Sequence, residues 1–550
     1  MNTFCLPLRA PVWALLLCVS LFALPPLSAQ KSSTPPKAGK YYEDSLKHGY
    51  KFKAPAKFEV TPAGPEEANV LVKFSAGKDS KGGGAVHVLL FNSEDSLEKA
   101  VERRQRNFYV DTNDYLAKVV RNTKFKLLDP ESEGQPLKLK GNTQKGTAFE
   151  YRAGGSATGQ LAYVAEYPLD DTRTLAIVFL STKGTMKKKD SKKWLSSFEK
   201  MARSFERVKL QEVKAGKGAK NLKGFRAERY QELAKSLPAG GGWRIETSDN
   251  YFVVTDVDDP GFIRKIIRRL EAIRRYYERD FPLENAYKRT EKREPKPIEL
   301  PEGFEDMPEE LQKEIRERLE EAARKAAEYD PMLGVPAAER SRCCVVKVFK
   351  DRQAYFNYGA PANSAGYWWP YTEELCLYDN PKDREQSLGT LFHEAFHQYM
   401  YYYCGGEVEL HGWFNEGCAD FYGGYVYLNG QIRPKEGDRR LPYIKSIIKN
   451  RAYAPLDIFL TWFRNEYYGR NKLGKSQGAN YAQGWSFVNF LLRGNKEKPK
   501  GWKRAWSKIV ENYLQTALEL GDAKQALEVV FEDVDIDKMQ TCWLAFMDKQ

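Results

Sequence analysis

Over residues 41 to 208, apolar and polar positions alternate in short runs bounded by Gly, Pro, Asn, Asp and Ser, which is the period of strands. The runs are Lys51-Phe52-Lys53, Val70-Leu71-Val72-Lys73-Phe74, Ala85-Val86-His87-Val88-Leu89-Leu90 and Leu175-Ala176-Ile177-Val178-Phe179-Leu180. Between the last two lie Thr147 to Tyr151 and Gln160 to Tyr167, parted by Gly-Gly-Ser, a hairpin signal. Residues 96 to 106 and 191 to 207 carry a helical period instead. This pattern predicts an antiparallel sheet covered by helices on one side.

Further along, the period lengthens. A strand at Tyr251-Phe252-Val253-Val254 precedes Asp259-Pro260, which reads as N-cap and first residue of a helix. In it Phe262, Ile263, Ile266, Ile267, Leu270, Ile273 and Tyr277 recur at helical spacing, and the arginine-rich opposite face reads as solvated. Residues 301 to 329 alternate Glu with Arg or Lys at pairing distance, predicting a charge-laced surface helix. Cys344 to Phe349 and Leu375-Cys376-Leu377-Tyr378 read as strands, the second with an edge open to an extended peptide. A helix over 384 to 403 turns Leu388, Leu391, Phe392, Ala395, Phe396 and Tyr399 to one side and stops at Gly405-Gly406. After Asp420 the chain reads helical, over 456 to 465, 481 to 493, 502 to 518 and 523 to 531. The fold class is α+β: an antiparallel α/β sandwich, then an α/β lobe and a mostly helical C-terminal lobe that close on a cleft.

Composition divides the chain. Residues 1 to 29 read as a secretory signal, with Arg9 in the n-region, an apolar core from Val12 to Leu24 and Leu27-Ser28-Ala29 as cleavage site. Its thirteen apolar residues ending at Pro25-Pro26 are few for a membrane anchor, the competing reading. The expected location is secreted or periplasmic, without stable membrane insertion after cleavage. Residues 30 to 40 read as a flexible leader, 41 to 210 as an accessory domain, 211 to 222 as a linker and 223 to 550 as the domain that carries the chemistry. With 42% hydrophobic and 13% aromatic residues there is ample material for a core. The charge of +13 arises from 87 basic and 74 acidic residues mixed along the chain; no nucleic-acid motif accompanies it. Cys343, Cys344, Cys376, Cys404, Cys418 and Cys542 are even in number. They fit disulfides in an exported chain, Cys404 with Cys418 among the possible pairs, or buried free thiols.

The candidate chemistry lies in His393-Glu394-Ala395-Phe396-His397, followed nineteen positions later by Glu416. Residues four apart on a helix point nearly the same way, so His393 and His397 can share one metal while Glu394 faces its solvent ligand. A catalytic zinc takes three protein ligands and keeps a fourth position open, and Glu416 is the natural third. Asp420, one turn further on, is placed to accept the outer ring N–H of a ligand histidine. His411 is a candidate oxyanion donor. Cys418 is the obvious suspect for a fourth ligand, which would close the site and make the zinc structural. His48 and His87 stand isolated.

In these residues the chain resembles the gluzincin metallopeptidases, whose pattern is HExxH, eighteen intervening residues, Glu, and often an acidic residue four later. The resemblance implies one zinc ion held by His393, His397 and Glu416, Glu394 as general base, a peptide or protein as substrate, and Tyr481 as oxyanion donor on the helix after the glutamate ligand. Residues 243 to 251 (Trp-Arg-Ile-Glu-Thr-Ser-Asp-Asn-Tyr), 366 to 370 (Gly-Tyr-Trp-Trp-Pro) and 481 to 486 (Tyr-Ala-Gln-Gly-Trp-Ser) resemble a family of secreted bacterial peptidase-like proteins of unknown substrate, over about residues 240 to 495. The Gly-x-Met-Glu-Asn strand of aminopeptidase-N-like members does not occur; Glu373-Glu374 precedes the helix at a shorter spacing. The N-terminal strands are loosely similar to the PsbP-like α/β sandwich, implying a binding module for a polymer or surface ligand. The rival reading is a catalytically idle peptidase-fold binding or adhesion protein.

Overall fold

A computed structural model describes residues 34 to 550 apart from short stretches, the longest being 96–107, 212–220, 288–311 and 321–334. The signal segment, the helix expected over 96 to 106, most of the linker and nearly all of the charge-laced 301 to 329 segment lie outside the described residues.

The N-terminal region is built of antiparallel strands. β1 (Ala38–Asp44) and β2 (Tyr50–Pro55) form a small sheet; β3 (Phe58–Pro62), β4 (Val70–Ala76), β5 (Ala85–Asn92), β6 (Phe125–Leu127), β7 (Gln135–Pro136), β8 (Thr147–Ala153), β9 (Leu161–Pro168) and β10 (Arg173–Leu180) form a large one, ordered β3-β4-β5-β10-β9-β8-β6, with β7 also on β8. Two helices belong to it, α1 (Thr112–Val119) and α2 (Lys188–Ala202), and β11 (Glu206–Arg207) returns to β2. The expectation of helices on one side is corrected. Ile177 and Phe179 pack with Trp194 and Phe198 of α2, while Ala176 and Val178 pack with Tyr115 and Leu116 of α1 on the opposite face. A strand buried on both faces is apolar at every position, and β10 is apolar from Leu175 through Leu180. Two boundaries also move. The end of the expected leader is strand, with Thr34 and Pro36 bonded to Gly83 and Ser197, and residues 206 to 207 are strand rather than helix.

The C-terminal region opens with α3 (Gly224–Ser236) and a five-stranded mixed sheet, ordered β12 (Arg244–Thr247), β13 (Tyr251–Thr255), β14 (Cys344–Phe349), β16 (Glu374–Tyr378) and β15 (Gly366–Trp369). β13, β14 and β16 run parallel, flanked by antiparallel edges. The strand expected to offer an open edge, β16, is interior: the Gly366-Tyr367-Trp368-Trp369 hairpin folds back on it, so β15 forms the edge. Against the sheet lies α4 (Pro260–Asp280), capped by the Asp259 carboxylate, which accepts from the Gly261 and Phe262 N–H groups. Phe262, Ile263, Ile266, Leu270 and Ile273 are buried, each contributing about 1.5–3 kcal/mol relative to exposure.

α5 (Arg384–Tyr403) packs on α4, fixed by Tyr277 Oη donating to the Phe392 carbonyl (2.6 Å) and Tyr399 Oη donating to the Phe281 carbonyl (2.5 Å). It ends where Gly405 and Gly406 take φ of 65° and 69°, a backbone that favours glycine. The remainder is mostly helical: α6 (Gly412–Gly423), α7 (Arg440–Lys449), α8 (Gln477–Glu497), α9 (Ile509–Leu520), α10 (Ala523–Phe531) and α11 (Ile536–Lys549). A hairpin of β17 (Tyr425–Leu428) and β18 (Gln431–Pro434), where only helix was expected, interrupts it. The six of the eight cysteines that lie among the described residues are buried free thiols, so the Cys404–Cys418 pairing is corrected; both side chains pack in the core as small apolar groups. Among the described residues no helix is long and apolar enough to cross a membrane.

Candidate metal centre

The centre lies where α5 faces α6. α6 is driven against α8 by glycines: a Cβ at Gly417 would meet the Gly484 carbonyl oxygen at 2.8 Å and Val488 Cγ2 at 2.9 Å, and one at Gly484 would overlap the Tyr467 hydroxyl. This close crossing presents Glu416 to the two histidines of α5. His393 Nε2 and His397 Nε2 are 3.1 Å apart, and Glu416 Oε2 is 3.3 Å and 3.4 Å from them. Ligands at about 2.0–2.1 Å from a tetrahedral zinc are about 3.3–3.4 Å from one another, so the triangle has the size of one ion.

The outer nitrogens fix the tautomers. His393 Nδ1 donates to Asp420 Oδ1 at 2.8 Å, and His397 Nδ1 donates to Asn415 Oδ1 at 3.0 Å. With those protons outside, both Nε2 lone pairs face Glu416 Oε2, a buried oxygen with no hydrogen-bond donor. Three electron-rich atoms facing one point are stable together when a cation sits among them, and the donor set of two imidazoles and a carboxylate fits zinc. Asp420 is itself held by Arg440. A proton and a cation compete for this point: burial opposes charge on these groups, yet the Asp420 and Glu416 carboxylates hold a proton on the His393 imidazole well above its ordinary range, the two imidazoles hold Glu416 well below its own, and a cation seated among them would displace that proton from Nε2.

Glu394 stands beside the group, its Oε2 accepting the Trp368 N–H of β15 at 2.9 Å. Burial raises its carboxyl affinity for a proton, opposed by His393 and His397, the direction a general base needs. Side-chain exposures of 15% at His393 and 12% at His397 show that the two imidazoles are not sealed off from solvent. Among the described residues the group has three ligands; Cys418, the suspected fourth, is fully buried in the core and is not part of it.

The expected oxyanion donors fare differently. Tyr481 reaches the centre, its ring stacked on His393 (centroids 6.2 Å, 28°) and on Tyr468 (centroids 6.2 Å, 17°). His411 does not. It is fully buried, stacked on Phe463, with Nδ1 at 2.7 Å from the Tyr513 hydroxyl, and burial pulls its pKa down to about 4, so the oxyanion role is withdrawn from it. Glu374 is consumed by Lys347 (2.6 Å) and Tyr358 in a buried cluster, and Glu373 accepts from Tyr402. Two residues escape the sequence reading. Asn415 adjoins Glu416, and its amide at the helix start was a signal available in the sequence. Tyr468 donates to Glu416 Oε1 at 2.7 Å across a separation of 52 residues, for which no local pattern exists.

No protein-family model matches the chain, and no curated protein matches it. Among solved structures, the solution structure of cyanobacterial PsbP (CyanoP) from Synechocystis sp. PCC 6803 is similar at 15% identity and TM-score 0.22, covering 31% of this chain and 93% of that one. A crystal structure of a protein from Bacteroides thetaiotaomicron VPI-5482 is similar at 9% identity and TM-score 0.19, covering 44% of this chain and 62%, less than two thirds, of that one. The CyanoP likeness falls weakly on the N-terminal part, and both scores are too low to carry an argument about fold or function.

Proposed function

We propose that the chain is a secreted zinc-dependent peptidase of gluzincin type, hydrolysing peptide bonds with Glu394 as general base. The observation that carries the reading is the convergence of His393 Nε2, His397 Nε2 and the donor-free Glu416 Oε2 within 3.4 Å of one another, with both outer ring nitrogens already spoken for.

A zinc ion held by His393, His397 and Glu416 would supply Lewis acidity, activating water and polarising a carbonyl. Glu394 takes the proton of the attacking water and returns it to the leaving amine. The Trp368 N–H holds the Glu394 carboxylate in place for both transfers. The Tyr481 hydroxyl, beside His393, donates to the developing oxyanion. Asp420 and Asn415 keep the two imidazoles in the ligating tautomer. The edge strand β15 adjoins the centre through the Trp368 N–H, and its remaining outward main-chain groups offer hydrogen bonds to an extended peptide.

The test is digestion of a broad peptide library by zinc-loaded protein beside a chelated control. Cleavage that disappears on chelation and returns with zinc is expected. Absence of cleavage in the loaded sample overturns the reading.

A further inference from the structure

Two arginines lie beside the centre, and they are used differently. Arg440 is bound to Asp420. Arg464 begins the short helix Arg464–Tyr467, is exposed, and has its guanidinium carbon 5.4 Å from the centre of the Tyr468 ring. The Tyr468 hydroxyl in turn is 2.7 Å from Glu416 Oε1. Among the described residues no carboxylate forms an ion pair with Arg464; although the residue is exposed overall, burial of its guanidinium against the Tyr468 ring opposes the charge, and the Tyr468 hydroxyl, then Glu416 and Glu409 at longer range, outweigh that burial. Tyr468 already occupies the outer oxygen of Glu416, so Arg464 is separated from the ligand carboxylate by a phenol; that phenol oxygen engages at most one of the five guanidinium N–H groups, which leaves the rest of the planar fork for another acceptor. Stacking on Tyr468 limits the rotamers of a long side chain, so less freedom is lost when that fork engages a carboxylate.

We propose that Arg464 receives a carboxylate of the substrate, so that the centre selects peptides with an acidic side chain or a free C-terminal carboxylate near the scissile bond. The inference rests on the metallopeptidase reading of the same centre. It assigns Arg464 to specificity and gives it no part in bond breaking. A stack that served only the packing of Tyr468 would make no distinction between charged and neutral peptides.

The probe is zinc-loaded Glu394→Gln protein, which is expected to bind peptides without turning them over, titrated calorimetrically with three matched peptides. One carries Glu with an amidated C-terminus, one is its Gln twin with the same amide, and the third is the Gln peptide with a free C-terminal carboxylate. At least one acidic peptide is expected to bind about tenfold or more tightly than the neutral twin, the scale of a charge-assisted pair. Which of the two does so identifies the source of the carboxylate. Adding Arg464→Gln should erase the preference, Arg464→Lys should retain part of it, and an unchanged melting temperature shows that the fold is intact. Equal binding of all three peptides, or a preference that survives Arg464→Gln, overturns the proposal. The two readings fail separately: a preference lost with Arg464 in a protein that cleaves nothing leaves the carboxylate site standing without hydrolysis. Zinc-dependent cleavage with no effect at Arg464 does the reverse.

Discussion

His87 in the N-terminal region and the His393–His397 pair in the C-terminal region are the same side chain put to opposite uses. His87 is buried on β5, its Nδ1 2.6 Å from the Tyr115 hydroxyl, and burial, helped by Lys73, pulls its pKa down to about 3. Among the described residues no second ligand joins it, and the neighbouring charges Lys73 and Glu67 pair with each other. His393 and His397 spend one nitrogen on an acceptor behind them and aim the other at a shared point. The difference teaches that burial and a single partner make a neutral, inert imidazole. A site needs outer acceptors that choose the tautomer and a second helix that brings the third donor.

The largest effect that sharpens this contrast is in turnover. Glu394→Gln is expected to retain zinc, measured by elemental analysis, and to lower peptide hydrolysis about 10²–10⁴-fold, the range of a lost general base. Undiminished hydrolysis would reject its role. His87→Ala should leave the zinc content at its wild-type level, and a loss of zinc there would break the comparison.

Next come the outer acceptors. Asp420→Ala and Asn415→Ala are each expected to weaken zinc binding about 10–100-fold in competition with a chromogenic chelator. Unchanged affinity in both would show that the imidazoles hold their orientation without help. Asp420 should have the larger effect, because its charge supports His393 and because it is itself held in place by Arg440.

How much of this was legible follows from range. His393, Glu394 and His397 lie within one helical turn or so, and the helix bounds of 384 to 403 were read as observed. Glu416 and Asp420 were reachable because they lie four apart on the next helix. Tyr468 was not, since what joins it to Glu416 is the fold of the helical lobe. His411 misled because proximity in sequence to Glu416 looked like proximity to the centre, whereas the start of α6 turns it into the core beside Tyr513. The one-sided sheet was a misreading of a visible signal, for the unbroken apolar run of β10 already implied cover on both faces.

A packing change should reach the centre through α8. Gly484→Ala places a methyl against the Tyr467 hydroxyl at the crossing that positions α6. Overpacking of this kind costs about 1–3 kcal/mol, read as a lower denaturation midpoint with unchanged slope. Zinc affinity should fall with it, since Glu416 rides on α6. An equivalent substitution at Gly154, in the N-terminal region, meets nothing within 4 Å, so only its positive φ of 64° opposes the change, and zinc affinity should not move.

The smallest effect returns to His87. Its folded pKa of about 3 lies below the ordinary 6.5, so the unfolded chain binds a proton that the folded chain refuses at intermediate pH. The stabilisation is therefore complete above pH 6.5 and is lost as pH falls toward 3. Between pH 7 and pH 5.5 a single such histidine should cost about 1 kcal/mol of unfolding free energy. His411 and His48, both pulled down to about 4 by burial, contribute with the same sign, so the wild-type slope is a sum. Urea titrations of wild type and His87→Gln at the two pH values isolate the His87 share. The glutamine substitution lowers stability at both pH values through its own poor fit, but the pH-dependent difference should shrink by that amount of about 1 kcal/mol, because glutamine does not titrate. An unchanged difference would mean that His87 protonates in place, and the inert imidazole of the comparison would not be inert.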